Sequence, residues 1–205
     1  MKLSQNFTAK LYDPILHFAV KSIRMEIMNA LLDYKEKNIL DLCCGTGNQL
    51  KLLSRNGFKK LHCLDSSSSM LKIAKKHRFP INLYHEDATK TKFKDETFDA
   101  IIVCFSLHEK DRKIEESLLE EAYRLLKSTG TIIIVDYIFD DKTEWYSKML
   151  IKLIERIAGG EHYKNFIKYL THDGFQNLVK ENKFKLLRCQ RLTSGAVMMA
   201  RYKKI

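Results

Sequence analysis

"NILDLCCGTGNQL", residues 38–50, is a short apolar run that ends in an acid, two cysteines and a Gly-Thr-Gly. The run reads as a buried strand closed by a glycine turn. The segment it leads into, "NQLKLLSRNGF", carries apolar residues at helical spacing and stops at Gly57. A glycine turn between strand and helix lets backbone approach a ligand closely, and the helix start favours a negative group.

Working outward, the same alternation repeats. "KKLHCLD" is a second strand, and "SSSSMLKIAKKHR" a helix whose serines supply an N-cap. "INLYHED" and "FDAIIVCFSL" read as the third and fourth strands. "RKIEESLLEEAYRLLK" is an amphipathic helix with Gly130 just beyond it, and "TIIIVDYIF" is a fifth strand. Strand–helix alternation over residues 37–138 implies right-handed crossovers and a parallel sheet covered on both faces. Upstream, residues 14–32 have helical spacing and begin with Pro14. Downstream, the segment after Phe139 reads as two or three helices interrupted at Gly159-Gly160. Two strand-like runs around Ser194-Gly195 then form a hairpin whose last strand runs antiparallel.

The expected fold is therefore α/β: seven strands, mostly parallel with an antiparallel C-terminal strand, and a helical insert after strand five. We expect a single domain over residues 1–205. It divides into an N-terminal helical segment (1–35), a ligand-binding core (37–138), a helical lid or insert (140–182) and a C-terminal hairpin (183–205).

The 205 residues are 45% hydrophobic, enough for one sizeable core, and no run reaches the ~18 apolar residues of a membrane span. "MKLSQNFTAK" lacks the apolar centre of a secretory signal. Five cysteines without CxxC spacing argue against a disulfide framework and for a reducing compartment, so a cytoplasmic protein is expected. No spaced His/Cys pattern points to a metal, and none is expected. The net charge of +11 is spread along the chain rather than blocked, which reads as a solubilising surface before an anionic partner.

The glycine turn fails two common nucleotide motifs. A dinucleotide fingerprint would need a small residue where Leu50 stands, and a Walker loop would need Gly-Lys-Ser/Thr. What surrounds the turn instead are acids at three successive strand ends: Asp41, Asp65 and Asp87. An acid placed like Asp65 can accept both hydroxyls of a ribose. The set describes a site for a cationic nucleoside with no phosphate requirement.

These residues resemble the class I S-adenosylmethionine-dependent methyltransferases, of the kind grouped with the ubiquinone/menaquinone methyltransferases. "ILDLCCGTG" is similar to that family's first motif, and "DSSSSMLKIA" matches its D-x-S-x-x-M-L-x-x-A signature at Asp65, Ser67, Met70, Leu71 and Ala74. "EDATKTKFKDETFDAIIVCFSLHE" and "EAYRLLKSTGTIIIVDY" resemble the motifs that follow. The resemblance implies a Rossmann-like, doubly wound sheet that binds S-adenosyl-L-methionine and releases S-adenosyl-L-homocysteine. It implies that loop 43–47, with Cys43, Gly45 and Gly47, packs against the methionine moiety, with Asp41 beneath. Asp65 would hold the ribose, with Ser66 beside it, and Met70 would lie against the adenine. Asp87 and the Ala88 amide would meet the adenine edge, Cys104 and Phe105 would flank the cofactor, and Tyr12 of "YDP" would reach its carboxylate.

Methyl transfer from a sulfonium needs alignment and exclusion of water, and a base only where the nucleophile still carries a proton. His108 in "SLHE" is the expected base, and Tyr137, at the end of strand five beside Asp136, a partner in orienting substrate. In the insert, "EHYKNFIKYL" puts His162, Tyr163 and Phe166 near one helix face as an aromatic wall for the acceptor. Phe105-Ser106-Leu107-His108 replaces the proline-bearing motif of many base-amine methyltransferases, and neither proline precedes a cysteine, so nucleic acid is disfavoured. A small-molecule acceptor is expected, with an amphipathic quinol or lipid head group reached at a membrane surface among the choices. The alternatives are a noncatalytic binder of the same cofactor and a nucleic-acid methyltransferase.

Overall fold

The computed structural model describes residues 20–181 and 183–205. The first described element is a helix over residues 20–30 (α1), followed by a 3-10 turn at Leu32–Tyr34. Pro14, the expected start of that helix, lies outside the described residues. So does Tyr12.

The alternation then runs β1 Asn38–Leu42, α2 Asn48–Arg55, β2 Lys60–Asp65, α3 Ser68–Lys75, β3 Ile81–His85, β4 Phe98–Cys104, α4 Arg112–Leu125 and β5 Leu126–Tyr137. Three helices follow: α5 Trp145–Ala158, α6 Gly160–Thr171 and α7 Phe175–Glu181. The hairpin of β6 Phe184–Leu192 and β7 Val197–Lys204 comes last. All seven strands form one sheet in the order β3-β2-β1-β4-β5-β7-β6. β1 to β5 pair in parallel, and β7 runs antiparallel to both of its neighbours. This is the Rossmann-like seven-stranded sheet that the sequence pattern implies.

Two-sided burial explains the apolar composition of the central strands. Ile39, Leu40 and Leu42 of β1 and Ala100 to Val103 of β4 are wholly buried. The helices that cover them start on designed caps: Asp111 Oδ1 accepts from the Ile114 amide at 3.0 Å at the head of α4. Ser67 does the same for the Met70 amide in α3, at 3.4 Å.

One boundary differs from the sequence reading. β5 begins at Leu126, directly after α4, rather than beyond Gly130. Phe98 pairs with Leu126 but Ala100 with Thr131, so Lys127 to Gly130 bulge out of the ladder. Pattern alone cannot separate a bulge from a turn.

The strand order reverses between β1 and β4, whose neighbours lie on opposite sides. In open parallel sheets ligands bind beyond the C-terminal strand ends at such a switch point. The residues of interest all sit there.

Candidate active site

The floor of the site is backbone. Cys43, just past β1, has φ +70°, and Phe105, just past β4, has φ +51°. Non-glycine residues in this region are uncommon and cluster at functional sites. Cys43 and Cys44 both donate backbone N–H to Leu64 O at 2.9 Å, and Phe105 donates to Val135 O at 2.8 Å. These bonds turn the two chains off the ends of adjacent strands.

The glycine loop is held from beneath by Asp65. Its Oδ2 accepts from the Gly45 amide at 2.8 Å and its Oδ1 from the Ser67 amide at 2.7 Å. Gly47, at φ +71°, is the start of α2, and a Cβ there would stand 3.1 Å from Ala74 Cβ. Gly45, at φ +53°, is the opposite: a Cβ there would meet nothing within 4 Å. One glycine lets the loop pack on α3, and the other faces open space.

A covalent tie corrects the sequence expectation of no disulfide. Cys44 and Cys63 are bonded, with Cα atoms 5.4 Å apart, joining the glycine loop to the middle of β2. The pairing of β1 with β2, Asp41 opposite Cys63, brings together residues whose spacing in sequence carries no motif. The other cysteines at the strand ends stay neutral: burial pushes the Cys43 thiol up to about 12 and Cys104 well above its ordinary value.

The three acids differ. Asp41 is buried, and burial followed by the charge of Asp65 pushes it up to about 7, with Arg24 pulling partly back. Asp65 is half-buried under the loop. Asp87 is exposed, and its Oδ1 accepts from the Thr89 amide and hydroxyl at 2.9 and 2.8 Å. Ala88 beside it is buried, Met70 lies half-buried in the first turn of α3, and Ser66 is exposed.

On the other side of the switch point the structure gathers His108, Tyr137, His162 and Phe166. The His108 ring stands 4.7 Å from Tyr137, 5.6 Å from His162 and 6.1 Å from Phe166, centroid to centroid. Tyr163 packs 6.1 Å from Phe166, and Phe105 5.2 Å from Tyr137. His108 is nearly inaccessible, and Asp136 fixes it: Oδ1 pairs with the ring Nδ1 at 2.6 Å, while Oδ2 accepts from the Leu107 amide at 3.0 Å.

Sequence reasoning missed the group on the far side of the ring. Glu155 of α5, 1% exposed, puts Oε2 3.6 Å from His108 Nε2 and 2.5 Å from His162 Nε2. Burial alone would lower the His108 imidazolium, but Asp136 and then Glu155 outweigh it and hold it at about 10. Burial alone would raise Glu155, but the two histidines hold it at about 2. In this arrangement both carboxylates favour the protonated ring.

Glu155 hides because α5 is inverted. Ser147, Ile151 and Glu155 face inward, while Trp145, Met149, Leu150, Leu153 and Ile157 face out. The usual assumption that the apolar stripe is the buried one assigns Glu155 to solvent. A glutamate spaced i+4 and i+8 from Ile151 and Ser147 was the available signal.

A family model described as "Methyltransferase domain" matches residues 39–130. The chain is 29% identical over 178 residues to the demethylmenaquinone methyltransferase of Thermotoga maritima, covering 80% of this chain and 76% of that one. Among solved structures, a Thermotoga maritima S-adenosylmethionine-dependent methyltransferase superposes with a TM-score of 0.72 at 20% identity, covering 100% of this chain and 97% of the other. The 1,6-didemethyltoxoflavin-N1-methyltransferase of Burkholderia thailandensis, solved with its substrate and S-adenosylhomocysteine, superposes with a TM-score of 0.66 at 13% identity, covering 98% and 87%.

Proposed function

We propose that the chain is an S-adenosylmethionine-dependent methyltransferase and that it methylates a small amphipathic acceptor of the quinol type. The acceptor lies between the ends of β4 and β5 and the inner face of α6. The observation that carries this reading is the cluster of aromatic rings, Phe105, Tyr137, Tyr163 and Phe166, packed beside the switch point.

The residues present fit the cofactor. Open space over Gly45 leaves room for a ligand to lie on the loop backbone. Asp65 already accepts one N–H on each oxygen, and each oxygen keeps lone-pair capacity for a ribose hydroxyl. Asp41, buried beneath, offers a carboxylate to the cationic end of the ligand, and Arg24 tempers its charge. Met70 and the Ala88 amide line the adenine side, with Asp87 at its edge. Cys43, Ser66 and Cys104 contribute walls rather than reactive groups. When bound, the sulfonium supplies an activated methyl carbon whose leaving sulfur departs neutral.

The chain's own residues then have three tasks. Cys43 and Phe105 turn the backbone so that the cofactor and acceptor meet over the sheet edge. Tyr163, half-buried, offers a ring to the acceptor, while Tyr137 and Phe166, packed behind it, exclude water. His108, held between Asp136 and Glu155, ties the ends of β4 and β5 to α5 and is a positioning residue in this role.

The exposed stripe on α5 supports an amphipathic acceptor. Trp145 and Ile157 are 71% and 70% exposed, and Lys148, Lys152 and Arg156 share the helix. An apolar face with basic residues suits peripheral contact with an anionic membrane from the cytoplasmic side. No described helix is long and apolar enough to cross one. The test is transfer of labelled methyl to a reduced, short-chain demethylmenaquinone against soluble amines and thiols. Label in the quinol supports the proposal, and label only in a soluble acceptor redirects it.

A further inference from the structure

Three side chains from three separate elements converge above the end of β4: His108 from the turn after the strand, Glu155 near the end of α5, and His162 in the first turn of α6. One donor atom of each lies within 4.8 Å of the other two. The Glu155 oxygen is 2.5 Å from His162 Nε2 and 3.6 Å from His108 Nε2. Donors about 2.0–2.1 Å from a tetrahedral zinc stand roughly 3.3 Å from each other. For zinc to sit between them the Glu155–His162 pair would have to open and the His108–Glu155 pair to close slightly.

The surroundings are those of a metal centre. Asp136 holds Nδ1 of His108, which turns Nε2 into the cluster, the carboxylate–histidine arrangement that orients metal ligands. On the outer side, Glu109 Oε2 stands 3.7 Å from His162 Nδ1. The second Glu155 oxygen, Oε1, is buried without a hydrogen-bond partner. A buried carboxylate oxygen left so is costly, and a cation would satisfy it. Charge agrees: Asp136 and Glu155 are both buried, and the ion pairs they make are with histidines. A dication held between neutral imidazoles would balance these two carboxylates.

Two imidazoles and one carboxylate exclude the all-oxygen preference of magnesium and calcium and suit a first-row transition ion. Three protein ligands also leave a position open, as in catalytic rather than structural zinc sites. We propose that His108, Glu155 and His162 bind a divalent transition-metal ion, with zinc as its representative, and that the open position takes a hydroxyl of the methyl acceptor. The second half rests on the methyl-transfer reading above, and the first stands on donor geometry. On coordination the hydroxyl loses its proton to solvent. The electron pair of the resulting anion forms the bond to the methyl carbon, and the carbon–sulfur pair goes to sulfur.

The test uses the full chain, stripped with a chelator and titrated with Co2+ alone while the visible d–d absorption is followed, then with Zn2+ in competition. The expected result is saturation at one Co2+ per chain, displacement by Zn2+, and at least a tenfold loss of affinity in Glu155→Gln and His162→Ala. Circular dichroism checks both folds. Should Glu155→Gln not fold, His162→Ala, at the half-open rim, decides alone. No saturable Co2+ absorption, or unchanged affinity in His162→Ala, overturns the site. Methyl transfer that persists at full rate in stripped protein, with Co2+ binding intact, overturns acceptor coordination. Failure of metal binding with transfer retained sinks this inference and leaves the methyltransferase reading in place.

Discussion

At the scale of single residues, the proposed site gives the two acids under the glycine loop different tasks toward a cationic nucleoside. With the ribose hydroxyls on Asp65, as proposed, Asp65→Ala removes charged hydrogen bonds worth about 1.5–3 kcal/mol each. We expect affinity for S-adenosylmethionine, read by calorimetry, to fall at least tenfold, and unchanged affinity would refute the ribose assignment. Asp41 behaves differently because burial and Asp65 raise it to about 7. Below that pH it is neutral in the free protein, and a cationic ligand must first expel its proton. Affinity should therefore weaken as pH falls from 7 toward 4, by at most about tenfold per unit, and Asp41→Asn should flatten the profile. The linked effect on stability has the opposite sense: the native state prefers protonated Asp41, so stability falls as pH rises from about 4 to about 7 and levels off above that. Asp41 and Asp65 were legible in the sequence because each lies at the end of an apolar strand, one before a glycine turn and the other before a serine-capped helix. Glu155 was not, since it lies in a helix whose polar residue faces the core.

At the scale of elements, α2 and its loop depend on Gly47, where a side chain meets both a left-handed φ and Ala74. Gly47→Ala should lower the thermal midpoint, by an amount equal to about 1–3 kcal/mol of strain. α6 depends on Phe166, wholly buried against Tyr137, Phe139 and Tyr163. Phe166→Ala should cost about 3–5 kcal/mol in denaturant unfolding. α5 should respond in the reverse way: Trp145→Ser with Ile157→Ser touches two outward positions and should leave stability within about 0.5 kcal/mol per site. The same pair should weaken binding to anionic vesicles, measured by sedimentation, and unchanged binding would remove the membrane role of this helix. The core strands and helices could be read from alternation, since two-sided burial writes itself as unbroken Ile, Val and Leu. The bulge in β5 and the orientation of α5 could not, because one depends on cross-strand register and the other on which stripe meets the sheet.

At the scale of the molecule, strand order places everything with chemical character on one edge. The reversal between β1 and β4 puts the glycine loop on one side and the His108 cluster on the other, and α5 and α6 close over the second. The histidine cluster draws on residues from position 108 to 162, so no linear motif announces it. The +11 charge remains spread over the surface, which fits loose attraction to an anionic layer better than a dedicated groove. The central claim is that this edge passes a methyl group to an amphipathic quinol. The direct measurement is label transfer from methyl-labelled S-adenosylmethionine to a reduced demethylmenaquinone in anionic vesicles, with the product extracted and identified by mass. The account predicts a quinol heavier by one methyl, absent when enzyme is omitted and strongly reduced in Asp65→Ala. Saturable cofactor binding with no methylated quinol at any enzyme concentration would contradict it.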